Sequence, residues 1–265
     1  MIKNILTIAG SDSSGGAGIQ ADIKTISALG GYAMSVVTAV TAQNTSGVSA
    51  VSLIESNLIK AQLDAIFDDI RVDAIKIGML GSSDIITTVA ECLKTINIPI
   101  VLDPVMVAKS GDPLLDSTAV NSLKNILLPI ATLITPNLPE AAVLLGQKEA
   151  ISRVEMEAQA KDLLKLVGES VLLKGGHLKG EDSPDLLASD GSLIWFEEKR
   201  FETKNTHGTG CTLSSALATL IGKNYSIQDA ILESKGYLTN AIKAADRLSV
   251  GSGHGPTNHF WDLDK

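Results

Sequence analysis

The amino-acid sequence predicts an α/β fold with a largely parallel sheet covered by helices on both faces. Three observations carry this expectation. Short apolar runs alternate with helix-length segments through most of the chain, the pattern of right-handed βαβ units. The runs are apolar almost throughout, as strands buried on both faces must be. Their carboxyl ends collect small, amide, acidic and basic residues, and that edge is where open parallel sheets bind ligands.

The elements follow in order. Asn4–Ala9 is an apolar strand, followed by a glycine-rich loop, Gly10–Gly18, and a helix from Ile19 to Leu29. Strands are expected at Met34–Val40 and Val48–Ile54. Ser56 is placed to cap a helix ending near Ile70. Ala74–Ile77 is a strand and Ser83–Ile96 a helix. Pro99–Asp103 is a strand, followed by a loop and a helix over Asp116–Leu127. Thr132–Ile134 is a strand, followed by helices near Leu138–Leu145 and Arg153–Val167, and Val171–Lys174 is a strand. The alternation then breaks. Asp185–Ala188 and Leu193–Phe196 suit an antiparallel hairpin with Asp190-Gly191 as its turn. A helix opens just after the Asn205–Thr212 stretch, and a long one over Ile227–Leu248 closes the fold. No repeat, linker or domain boundary interrupts residues 1–265, so one domain is expected.

Composition narrows the function. The 265 residues are 45% hydrophobic, so the chain can bury a large core. Aromatics are only 3% and the net charge is −8, which argues against nucleic acid or an anionic membrane as a partner. The two cysteines, Cys92 and Cys211, make neither a disulfide framework nor a zinc site. A reducing compartment fits, and the cytoplasm is the expected location. Residues 25–54 and 205–222 lack Asp, Glu, Lys and Arg but are rich in Thr, Ser, Asn, Gln and Gly. They suit buried elements better than membrane spans.

Asn205-Thr206-His207-Gly208-Thr209-Gly210-Cys211-Thr212 leads straight into a helix. Its glycines let the backbone approach a ligand, and the first helical N–H groups attract an anion. The turn is a candidate phosphate cradle; the alternative is a helix start with two permissive glycines. Other nucleotide motifs fail. Gly10–Gly16 has Gly where a Walker loop needs Lys. Gly16–Ala21 matches a dinucleotide fingerprint, but no acid follows between Asp22 and Glu55 to hold a ribose. Phosphoryl transfer needs a cradle, a cation and acids for Mg²⁺. Lys174 supplies the cation, and Asp103, with Asn137 and Glu140, could hold the metal through water. Asn137 and Glu140 equally suit a helix capping box, and Lys174 a plain strand-end charge.

The sequence resembles the bacterial hydroxymethylpyrimidine/phosphomethylpyrimidine kinases of thiamine synthesis, within the ribokinase-like superfamily. The resemblance runs over nearly the whole chain. It is carried by Thr7–Asp22, Thr41–Thr45, Lys76–Leu80, Leu102–Gly111, Thr135–Glu140, Lys174–His177 and the Asn205–Cys211 turn. It implies a three-layer α/β/α sandwich, ATP with Mg²⁺, a homodimer, and two successive phosphorylations in one site. The substrates implied are an aminopyrimidine alcohol and then its monophosphate. Catalysis is expected from Cys211, Lys174, Gly208 and Gly210, and nucleotide binding from Asn137, Glu140, Thr206 and Thr209. Asp103 and Glu140 are expected at the metal. Gln43, Asp22, Gly10, Met79 and Met106 are expected around the pyrimidine. Many ribokinase-like sugar kinases carry an Asp as base where this chain has Cys211. A thiol at a helix N-terminus can have a depressed pKa and so act as that base; a structural cysteine is the alternative. Related vitamin B6 kinases compete for the assignment. Gln43, which can both donate and accept, suits an aminopyrimidine edge. Residues 108–113 are expected to form a flap over the bound substrates.

Overall fold

The structure is a computed structural model that describes residues 1–106 and 115–263. The expected flap lies outside the described residues. Nine strands form one sheet. In chain order they are β1 (Asn4–Asp12), β2 (Tyr32–Asn44), β3 (Gly47–Leu53), β4 (Ala74–Ile77), β5 (Ile100–Leu102), β6 (Leu133–Ile134), β7 (Ser170–Lys174), β8 (Asp185–Ser189) and β9 (Ser192–Phe196). The spatial order is β3-β2-β1-β4-β5-β6-β7-β8-β9. Pairing is parallel from β2 to β7 and antiparallel at the two ends. Asp190 and Gly191 both have positive φ, 46° and 74°, as a tight hairpin turn between β8 and β9 requires.

Among the described residues eight α-helices flank the sheet: α1 (Gly18–Ala28), α2 (Ser56–Asp69), α3 (Ser83–Leu93), α4 (Ser117–Ser122), α5 (Leu138–Leu145), α6 (Arg153–Leu164), α7 (Thr209–Gly222) and α8 (Ile227–Lys243). The period-2 geometry of strands divides the core into two layers. Leu6, Ile8, Ile75, Ile77, Ile100, Leu102, Val171 and Leu173 face α2 to α6. Their neighbours Ile5, Ala74, Val101 and Leu172 face α1, α7 and α8. This is the three-layer α/β/α sandwich with a mostly parallel sheet.

Two elements differ from expectation in instructive ways. β2 runs to Asn44 and turns tightly into β3, so the second connection is a hairpin and not a crossover. The helix expected over 116–127 changes to π geometry at Leu123–Leu127 and then to a 3-10 turn, where Pro129 cannot donate to an α-helical ladder. The long terminal helix ends at Lys243, and a 3-10 turn covers Ala245–Arg247. No helix among the described residues is long and apolar enough to cross a membrane.

Candidate active site

β1 leads to β2 on one side and pairs with β4 on the other. Such a reversal opens a crevice beyond the strand ends. A cavity of about 760 Å³ lies there. Its wall includes Gly10, Gln43, Met79, Met106, Asp103, Asn137, Glu140, Lys174, Thr206, Gly208, Thr209, Gly210 and Cys211. The strands and loops thus bring together every residue expected at the site except Asp22.

The transfer end is built on α7. The helix starts at Thr209 from Gly208, with no side chain capping it; α3, α5, α6 and α8 all have a capping side chain. The first regular intrahelical donor is Thr212 N, bonded to Gly208 O at 2.9 Å. The amides of Gly210 and Cys211 therefore precede the helical ladder and suit an anion. Gly208 has φ 77°, and a Cβ there would lie 1.8 Å from Gly16 O. The glycine-rich loop and the phosphate turn meet backbone to backbone, so no side chain fits between them. A Cβ on Gly210 would lie 3.2 Å from Asp103 Oδ2 and 3.5 Å from Lys174 Nζ.

Lys174 ends β7 and Asp103 follows β5, and their side chains bond at 3.0 Å. Thr135 Oγ1 donates to the same carboxylate at 3.1 Å. Burial acts against the Lys174 charge, but Asp103 and Glu140 more than offset it and hold its pKa above the ordinary lysine value. Asn137 and Glu140 do form the capping box of α5, at 2.9 and 2.8 Å. The cap takes Asn137 Oδ1, so only its NH₂ end is available to a ligand. Burial pushes Glu140 up to about 7, Lys174 pulls it down, and Asp103 pushes it up again. The electrostatic coupling of Glu140 to Asp103 in a buried wall favours a cation beside them, a role Lys174 fills in part. The described residues hold no group of three or more His, Cys, Asp or Glu placed to bind a metal. A Mg²⁺ that takes most of its ligands from phosphate and water fits this two-carboxylate set.

Two expectations are corrected. Asp22 is wholly buried in α1 and does not line the cavity. Its carboxylate accepts from Lys76 Nζ at 2.8 Å, Thr7 Oγ1 at 2.6 Å and Ser215 Oγ at 2.6 Å. It is the counter-charge of Lys76, with no face left for a pyrimidine. The Cys211 thiol lies above the ordinary thiol range, against the depressed value expected of a base. Burial pushes its pKa up to about 11; Lys76 and the Gly18 amide pull it down, while Asp22 and Asp103 push it further up.

Several residues at the site were not expected there. Lys76, in the middle of β4, reaches the cavity wall; a lone lysine in a buried apolar strand was the available signal. Lys235 on α8 pairs with Asp185 at 2.6 Å. Arg200 donates to the carbonyls of Gly176, Leu178, Gly180 and Asp182, which orders the loop after Lys174. Asp12 and His207 bond at 2.7 Å across 195 residues of sequence, a pairing no spacing rule reveals. Burial alone would raise the Asp12 pKa, but hydrogen bonds from His207 and Ser14 outweigh it, so it lies below the usual carboxylate range.

A mostly parallel sheet between helical layers, with a cavity beyond its strand ends, is the layout of the ribokinase-like small-molecule kinases. The chain belongs to the phosphomethylpyrimidine kinase family, which it matches over residues 12–258. It is 54% identical over 258 residues to the hydroxymethylpyrimidine/phosphomethylpyrimidine kinase of Escherichia coli strain K12, covering 97% of each chain. Among solved structures it resembles the phosphomethylpyrimidine kinase of Clostridium difficile 630, with 45% identity, a TM-score of 0.81, and 91% of this chain and 99% of that one covered. It also resembles an ADP complex of Bacillus subtilis pyridoxal kinase, with 37% identity, a TM-score of 0.91 and full coverage of both chains.

Proposed function

We propose that this kinase phosphorylates 4-amino-5-hydroxymethyl-2-methylpyrimidine with ATP and then phosphorylates the monophosphate to the diphosphate in the same cavity, as a step of thiamine synthesis. The observation that carries the reading is the shared wall. Lys174, Asp103 and the α7 residues Gly210 and Cys211 line the same cavity as Gln43, Met79 and Gly10.

The transferring group lies along the α7 amides, with Lys174 balancing its charge. Asp103 and Glu140 would hold Mg²⁺ through water, and the ion when bound neutralises charge on the phosphates. Asn137, Thr206 and Thr209 line the nucleotide side. Gln43 reads the aminopyrimidine edge, and Met79 and Met106 cover the ring. Cys211 lines the same cavity. With its proton held so tightly, its sulfur accepts the hydrogen bond of the acceptor hydroxyl and positions that oxygen. The hydroxyl proton then passes late to an oxygen of the transferring phosphoryl group, as the loose transition state allows.

The likeness to pyridoxal kinases of similar fold supplies the rival substrate. ATP consumption with hydroxymethylpyrimidine, its monophosphate and pyridoxal offered in parallel decides between them. The expected order places both pyrimidines above pyridoxal by kcat/KM; a preference for pyridoxal would overturn the assignment.

A further inference from the structure

The Asp12–His207 contact takes no part in the transfer chemistry, yet it touches Gln43. Asp12 Oδ1 accepts Ser14 N and Ser14 Oγ, each at 2.8 Å. Its Oδ2 accepts Ala17 N at 2.9 Å and meets His207 Nε2 at 2.7 Å. A carboxylate only accepts, so the last bond requires a proton on His207 Nε2. The imidazole cannot swing away. His207 is buried, its amide donates to Gly255 O at 3.0 Å, and its ring lies against Gly16, where a Cβ would fall 2.4 Å from its Cδ2.

Gln43 Nε2 lies 3.4 Å from that same His207 Nε2, and Gln43 Oε1 lies 3.2 Å from Thr41 Oγ1. In this orientation two N–H groups face each other. The Gln43 carbonyl also competes for the one Thr41 proton, which Ser11 O takes at 3.0 Å. A half-turn of the amide exchanges its ends without changing its shape. The carbonyl then shares the His207 N–H, and the NH₂ donates to Thr41 Oγ1. Both conflicts disappear.

We propose that Asp12 and His207 are positioning residues that lock the Gln43 amide with its carbonyl toward His207 and its NH₂ toward Thr41, and so fix which way round the aminopyrimidine edge is read. This rests on the reading of Gln43 as the residue that contacts the ring. The locked amide keeps one lone pair and one N–H for the substrate. The exocyclic amine of the pyrimidine therefore lies on the His207 side and the ring nitrogen on the Thr41 side. A ring without that amine loses half of the pairing.

Two measurements test this. The first needs no substitution: the ¹⁵N shifts of His207 in the free enzyme at neutral pH should show Nε2 protonated. An unprotonated Nε2 overturns the proposal. The second is a double-mutant cycle on the KM for hydroxymethylpyrimidine. His207→Phe should raise it about tenfold, the worth of one lost hydrogen bond, and by more than any change in the KM for ATP. In a Gln43→Leu background the same change should add nothing. Equal penalties in both backgrounds overturn the inference while leaving Gln43 at the ring. A Gln43→Leu KM equal to that of the unaltered enzyme removes Gln43 from the ring, and the inference falls with it.

Discussion

Two lysines on the same sheet, Lys76 on β4 and Lys174 on β7, each pair with an aspartate from another element. Lys76 and Asp22 are both 0% exposed, while Lys174 and Asp103 are 15% and 3% exposed. The first pair is closed on itself: Asp22 is saturated by Lys76, Thr7 and Ser215. The second is open: Lys174 lies at the cavity wall beside the phosphate turn. The chemistry of the two pairs is identical, and their surroundings assign them different tasks. Both lysines reach the cavity wall, but the acid of the first pair is enclosed with its lysine at 0% exposure, whereas Lys174 stays partly open to a second anion. Asp22 shows why the distinction matters. An acid on the helix after the glycine-rich loop was expected at the substrate, but its partners enclose it.

The largest effect is expected at the closed pair. Lys76→Met strands a buried Asp22 carboxylate, which costs about 3–5 kcal/mol of stability. Urea unfolding measures it. A Lys76→Met, Asp22→Leu double variant should recover most of the loss, because it removes the charge along with its partner. If the double variant is no more stable than the single one, the pair is not what holds this region.

At the open pair, Lys174→Ala should lower turnover by roughly 10²–10³, as the loss of one charge-stabilising donor does. Its urea midpoint should move far less than that of Lys76→Met. Comparable unfolding losses in the two variants would erase the contrast between the pairs.

Glu140 sharpens the comparison through pH. Its pKa rises from 4.5 to about 7 in the folded protein, chiefly by burial. The folded state then holds this proton more tightly than the unfolded chain does, so stability is lost as pH climbs from 4.5 through 7. Glu140→Gln keeps an acceptor for the capping box and removes the titration. Melting curves of the variant and the unaltered protein should coincide near pH 4.5 and separate in favour of the variant by pH 8, by a few degrees. Turnover should fall in the same variant, because the cation-holding charge is gone.

The smallest effect is expected at Cys211. A thiol with a pKa near 11 is protonated at neutral pH. Cys211→Ser should therefore slow the alcohol and monophosphate steps to a similar, few-fold extent. A base role predicts otherwise. The alcohol step would then fall by roughly 10²–10⁴, with the monophosphate step, whose acceptor is already ionised, much less affected.

Much of this architecture was legible in the sequence. The alternation of apolar runs placed the strands, Asp190-Gly191 marked its hairpin, and the polar strand ends traced one edge. The Gly208–Cys211 turn was legible because the residues that make it are contiguous. Asp12–His207 and Lys76–Asp22 join residues 195 and 54 apart, and nothing local records such a meeting. The upward shift of Cys211 was hidden for a related reason. The helix terminus is visible in the sequence, whereas the burial and the two neighbouring carboxylates that outweigh it belong to the assembled fold.

The contact of Gly208 with the Gly16 carbonyl has an evolutionary consequence. Where two backbones touch, selection has no side chain to vary, so this part of the cavity wall is closed to gradual change. Elsewhere the wall is made of side chains, Gln43 and Met79 among them, whose replacement leaves that contact undisturbed. Substitutions at such side-chain positions can therefore reshape the cavity wall, while the contact of Gly208 with Gly16 is inherited as a fixed part.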